Sequence, residues 1–340
     1  MDKIIAFGEI LLRLSTQDNS RFVQARSFAA NYGGSEFNVI MSLADFGKKT
    51  AFISKLPKNV FGNQILEEMR KKAIETNDII RSNGRLGLYF MEKGNAVRSS
   101  CVLYDRENSL FANISSAEFD WDRILDAAKW FHWSGITPAV SQEAANVCKE
   151  ALAVAKSKNI TVSCDLNYRS KLWNYGKQPQ DIMPELLRYT DVILGDLDTA
   201  CMMTGMEKLN PDYSNLESIA FAYDHFLENF PNVSYMGTTL RYSLSASHQK
   251  IGGILYDKNH CYSSRLWDIL PVVDRVGTGD AFMAGLIHGL LEPEASSQYA
   301  VDFATAACSF KHTVNGDYGI ASVEEIEKMI TQKGQALVDR

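Results

Sequence analysis

Short apolar runs rich in β-branched and aromatic residues alternate along this chain with longer stretches of helical periodicity. That rhythm constrains the fold more than any other feature. The runs are KIIAFGE (3–9), TAFISKL (50–56), KWFHWSG (129–135), ITVSCDLN (160–167), DVILG (191–195) and VSYMG (233–237). Helical patterns fill 35–47, 62–73, 142–158 and 214–229, with others near 281–291, 296–312 and 322–332. Strands that are apolar throughout are buried on both faces, and helical crossovers between them give an open parallel sheet. The expectation is an α/β architecture. No internal repeat or low-complexity linker divides the 340 residues, so one domain spanning 1–340 is expected.

Two segments break the rhythm. Residues 10–32 and 84–115 are turn-rich and alternate polar with apolar, as in RLGLYFMEKGNAVRSSCVLYD. They predict a small antiparallel sheet outside the main one, built from two separate insertions and placed to act as a lid. The stretch Glu92–Asn95 is expected to turn between its strands LGLYFM and SSCVLY.

The apolar fraction of 46% suffices for a sizeable core, while a formal charge of −6 argues against non-specific nucleic-acid binding. Six dispersed cysteines without a CxxC pair read as reduced core residues of a cytoplasmic protein. No run approaches the ~20 apolar residues of a membrane span. The N-terminal stretch, interrupted by Glu9 and Arg13, reads as a strand and not as a signal peptide.

The chemistry concentrates in DRVGTGDAFMAG (274–285), where two glycines and an aspartate precede an apolar helical run. Asp280 is expected as the N-cap and Ala281 as the first helical residue. Unpaired N–H groups at a helix start, approached through glycine, make an anion hole. In an open parallel sheet, ligands bind beyond the carboxyl ends of the strands. Polar exits lie there: Ser134, Gly135 and Thr137; Asp165, Asn167 and Arg169; Asp196 and Asp198. Each alone fits an ordinary cap or loop, but three together with the GTGD anion hole are harder to put down to coincidence. Other nucleotide and hydrolase motifs are missing: no GxxxxGK[ST], no GxGxxG after the first strand, and no GxSxG.

The stretch GGSEFNVIMSLADFG (33–47) resembles the N-terminal signature of the ribokinase-like, PfkB family of carbohydrate kinases, and DRVGTGDAFMAGL (274–286) resembles its C-terminal one. WSGITPA (133–139) and DLNYRSKLW (165–173) resemble the subgroup that phosphorylates 2-keto-3-deoxygluconate. The resemblance implies a three-layer α/β/α domain with a β-sheet lid, using ATP and Mg²⁺. It implies Asp280 as the base that takes the sugar hydroxyl's proton, with the N–H groups of Gly277, Thr278 and Gly279 around the transferring phosphoryl group. Sugar contacts carry over to Gly34, Asn38, Tyr89, Tyr104 and Arg106, and to Arg169. The two arginines suit a sugar acid, because guanidinium pairs with carboxylate bidentately.

There are departures. The family's Asn-x-x-Glu motif corresponds to GDLD, leaving Asp198 to approach Mg²⁺ through water. The glycine-rich nucleotide stretch corresponds to GTTLRYSLSASH (237–248), which keeps only Gly237. Thr278 stands where alanine is frequent. Alternatives are a fructokinase, ribokinase or 5-dehydro-2-deoxygluconokinase type of enzyme, or a non-catalytic sugar-binding protein on the same fold. Exposed lid edges and family analogy suggest a homo-oligomer, a dimer or larger.

Overall fold

The computed structural model describes residues 3–332. In chain order its strands are β1 (Lys3–Phe7), β2 (Leu11–Thr16), β3 (Phe28–Gly33), β4 (Lys49–Ile53), β5 (Lys55–Pro57), β6 (Ile80–Ser82), β7 (Gly87–Glu92) and β8 (Cys101–Asp105). Then follow β9 (Ala128–Ser134), β10 (Thr161–Asp165), β11 (Val192–Leu194), β12 (Tyr235–Ser245), β13 (His248–Tyr256), β14 (Cys261–Ser263) and β15 (Trp267–Ile269).

The main sheet runs β14-β13-β12-β11-β10-β9-β1-β4, with β15 also on β13. From β4 to β12 every pairing is parallel, and these six strands are the six apolar runs of the sequence. Beyond β12 the edge turns antiparallel, which the sequence did not suggest. The stretch HQKIGGILY hides a strand behind paired glycines, and the side chains of Thr305 and Phe282 pack close above Gly253. Helices cover both faces, each with its own apolar layer. On one side the helix Gln142–Ser157 starts from Ser141, whose hydroxyl accepts from the Ala144 N–H, and buries Ala144, Val147, Cys148, Ala151, Leu152 and Ala155. That spacing is an amphipathic stripe. On the other side the helix Thr278–Leu291 is apolar nearly all round and lies between the helices Ser35–Asp45 and Ser297–Lys311.

The lid is a separate sheet ordered β3-β2-β7-β8. Its central pair, β2 and β7, is parallel, where a wholly antiparallel sheet was expected. The reason is geometric: the two insertions leave the body in the same direction, so their outbound strands lie side by side and their returning strands β3 and β8 flank them. The turn between β7 and β8 also lies further along than expected, closed by paired bonds between Asn95 and Arg98 with Ala96 at φ 49°. The lid reaches both banks of the cleft beneath it. Its tip exchanges bonds with the β12–β13 hairpin, Ala246 N–H to the Ala96 carbonyl (2.8 Å) and Ala96 N–H to Ser247 Oγ (3.0 Å). From the opposite bank Lys171 Nζ donates to the Val102 carbonyl at 2.9 Å.

Candidate active site

A cleft of about 1180 Å³ opens at the carboxyl ends of the parallel strands, under the lid. Its floor is the start of the helix Thr278–Leu291. Asp280 is not the N-cap: the helix begins at Thr278 and is preceded by Gly277 at φ 74°. Only glycine suits this position, since an added Cβ would also lie 1.5 Å from the Asp317 carbonyl oxygen. Asp280 is instead a first-turn residue, where the N-terminal dipole favours its negative charge. Its Oδ1 accepts from Ser35 Oγ (2.9 Å) and its Oδ2 from Asn38 Nδ2 (2.6 Å). Asn167 Nδ2 in turn donates to Ser35 Oγ at 2.7 Å. The carboxylate is thus fixed by the first two turns of the helix Ser35–Asp45, for which Gly34 lets the chain pass close to the Glu9 carbonyl.

Burial pushes Asp280 up to about 6, against the hydrogen bonds of Asn38 and Ser35 and the charge of Arg169. Asp165, at the end of β10, is raised to about 7 by burial and by the charge of Asp280, with Arg169 opposing. Glu36 is also raised to about 7 by burial, although Ser134 and Thr137 both donate to its Oε1 at 2.7 Å. A carboxylate poised near neutrality beside the N–H groups of a helix start can accept a proton while an anion is held next to it.

The lid supplies Tyr89, Tyr104 and Arg106, all on the cleft as expected. Tyr89 donates its hydroxyl to Asp317 and lies 6.0 Å, centroid to centroid, from Tyr104, over which Arg106 sits at 5.8 Å. Arg106, however, is already paired. Its Nε donates to Glu9 Oε2 at 2.9 Å, a second guanidinium nitrogen reaches the same oxygen, and Ser109 donates to Glu9 Oε1. Arg169 differs: it is exposed, and it donates to the Tyr168 carbonyl at 3.1 Å.

Sequence reasoning missed Glu9 and Arg13, reading them only as interruptions of an apolar stretch. Arg13 is 1% exposed and holds Asp274 (2.8 Å) and Asp317 (3.0 Å). It therefore ties β2 of the lid to the loop carrying GTGD. A charged residue on the cleft face of an alternating strand was the available signal.

Two expectations on the nucleotide side need correction. Gly237 does not line the cleft; it is buried in β12 between β11 and β13, against Leu286. Asp198 pairs with Lys208 at 2.6 Å and also lies off the cleft, because the helix Leu197–Thr204 turns that side chain outward while Asp196, its N-cap, faces in. Among the described residues no group of three or more His, Cys, Asp or Glu side chains is placed to hold a metal ion. What this bank does present is Thr238, Thr239, Arg241, Arg275 and Asp196.

A parallel α/β body whose glycine-led helix start and buried carboxylate lie under a lid of separate strands is the architecture of a ribokinase-like sugar kinase. The model of the pfkB family of carbohydrate kinases matches residues 1–231 and 258–322, and the chain belongs to that family. The 2-dehydro-3-deoxygalactonokinase of Haloferax volcanii is 30% identical over 339 residues, 99% of either chain. The 2-dehydro-3-deoxygluconokinase of Bacillus subtilis is 26% identical, over 85% of this chain and 83% of that one. The crystal structure of 2-dehydro-3-deoxygluconokinase from Thermotoga maritima matches with a TM-score of 0.91 at 38% identity, covering 97% of this chain and 100% of that one. No described helix is long and apolar enough to cross a membrane.

Proposed function

We propose that this carbohydrate kinase transfers the γ-phosphoryl group of ATP to the 6-hydroxyl of 2-keto-3-deoxy-D-gluconate, giving 2-keto-3-deoxy-6-phosphogluconate. The observation that carries the substrate class is Arg169, which lies on the same cleft as Asp280, feels the charges of Asp280 and Asp165, and forms no ion pair within 4 Å among the described residues. A neutral ketose gives it nothing to pair with; a sugar acid does. The relatives acting on 2-dehydro-3-deoxy sugar acids point the same way.

In this reading Asp280 takes the proton of the hydroxyl as its oxygen bonds to the γ-phosphorus. The bond from that phosphorus to the bridging oxygen breaks, and ADP leaves with the electron pair. The N–H groups of Gly277, Thr278 and Gly279 hold the transferring oxygens, which is most of what phosphoryl transfer asks of a protein. Mg²⁺ bound together with the nucleotide would supply charge neutralisation at the phosphates. The Haloferax relative favours one second reading, the C4-epimeric 2-keto-3-deoxygalactonate as an equal or better acceptor.

The test is ADP release with both epimers, 5-dehydro-2-deoxygluconate, fructose and ribose. A higher kcat/KM on fructose or ribose than on either acid would sink the assignment. Asp280→Asn should lower kcat by roughly 10²–10⁴, and wild-type kcat/KM should fall as pH drops through about 6, where Asp280 takes up its proton.

We further infer a homo-oligomer joined through the outer face of the lid, where Phe28 and Phe90 stack edge to face beside exposed Leu103. Light scattering that returns a mass of 38 kDa at micromolar concentration would exclude it.

A further inference from the structure

Two arginines on the nucleotide bank remain without a role. Arg241 projects from β12 and donates to Thr278 Oγ1 at 3.0 Å. Arg275 sits in the loop between Asp274 and Gly277. Both are half-buried, and both line the cleft beside the GTGD helix start. Neither forms an ion pair among the described residues, although elsewhere in the cleft Arg13 and Arg106 each have a carboxylate. The two are close enough to repel: after burial, the charge of Arg241 is what lowers Arg275. Like charges partly withdrawn from water, with no counter-charge, cost free energy that an anion in the cleft would offset.

Thr278 connects this pair to the anion hole. Its hydroxyl donates to the Arg275 carbonyl at 3.1 Å and accepts from Arg241, so one side chain fixes both arginine-bearing segments. An alanine at 278 would leave the backbone donors in place and lose this contact. The same bank lacks the glycine-rich stretch expected for a nucleotide, and its one retained glycine, Gly237, is packed in the core.

We propose that Arg241, oriented by the Thr278 hydroxyl and backed by Arg275, binds the β- and γ-phosphate oxygens of the nucleoside triphosphate donor in place of a glycine-rich loop. This rests on the ATP-dependent kinase reading above. Arg241 is a phosphate-binding residue and Thr278 a positioning residue.

The test is calorimetric binding of ATP, ADP and AMP to the full chain without sugar, for the wild type, Arg241→Gln, Thr278→Ala and Thr278→Ser. Arg241→Gln should weaken ATP and ADP by roughly 10- to 100-fold, the range for hydrogen bonds to charged groups, with AMP unchanged and the sugar KM in turnover unmoved. Thr278→Ala should show the same pattern at a few-fold, and Thr278→Ser should restore it. Unchanged ATP binding in Arg241→Gln, or equal loss for AMP, overturns the proposal. If Arg241→Gln does not fold, the Thr278 pair decides alone, since it alters one hydrogen bond. A wild type that binds none of the three nucleotides fails the kinase reading itself, and is thereby told apart from a failure of Arg241.

Discussion

Arg106 and Arg169 differ in the company their guanidiniums keep, and the difference separates their expected phenotypes. Arg106→Ala leaves Glu9 buried without its cation, so it should lower stability and activity on every sugar alike. Arg169→Ala removes an exposed cation that, among the described residues, hydrogen-bonds no carboxylate, though its charge reaches Asp280 and Asp165. It should penalise a sugar acid by roughly tenfold or more beyond the loss on a poor neutral substrate such as fructose, which feels only the rise of Asp280 when the Arg169 charge is removed; equal losses on both substrates would refute the pairing. Asp165 offers a test on stability. Its folded value, about 7, lies above the unfolded one, so ionisation costs stability fully above pH 7 and less as pH falls toward 4. Asp165→Asn should therefore raise Tm at pH 8 by roughly 2–4 °C, a gain that shrinks by pH 5. A gain that does not depend on pH would mean that the cost of ionising this buried carboxylate, set first by burial and then by the charge of Asp280, is not the cause. At this scale the sequence was readable where function sits in one contiguous motif, as at Asp280. It was silent where a partner lies far along the chain: Glu9 meets Arg106 across 97 residues.

The lid is held by an element-level device, the buried Arg13 of β2 between Asp274 and Asp317. Tyr89 of β7 joins it through Asp317, so both outbound strands are anchored to the segments flanking the phosphate site. Arg13→Met keeps much of the volume but leaves two buried carboxylates without their main counter-charge, with Lys93 at 3.6 Å from Asp274 as partial compensation. The expected loss is roughly 3–5 kcal/mol, read from the urea midpoint, and Asp317→Asn in the same chain should recover part of it. A loss under about 1 kcal/mol, the value of an exposed pair, would show that the lid is anchored by its apolar contacts instead. Alternation in 10–32 and 84–115 disclosed these strands because one-sided burial writes a period of two into the sequence. Their parallel central pairing was not legible, since it depends on the direction in which each insertion leaves the body.

For the molecule as a whole, the parallel strands were legible because burial on both faces makes them continuous apolar runs. The antiparallel edge β13–β15 was not: β13 is long and largely buried but interrupted by paired glycines, and β14 and β15 have only three residues each. The lid bridges the cleft by touching both banks, at Ala96 with Ala246 and at Val102 with Lys171. Replacing residues 95–98 by a Gly-Ser linker should raise ATP hydrolysis without sugar, since a closed lid excludes water from the donor. Unchanged hydrolysis, with sugar KM also unchanged, would mean that the tip contact does not seal the site. The two-bank contact also governs how the reaction ends. In the proposed reaction, phosphorylated sugar and ADP would both leave past one lid that touches the walls of each, so the two departures are coupled through its opening. Opening then becomes the clock of turnover: kcat should slow as solvent viscosity rises, and each product should deepen inhibition by the other.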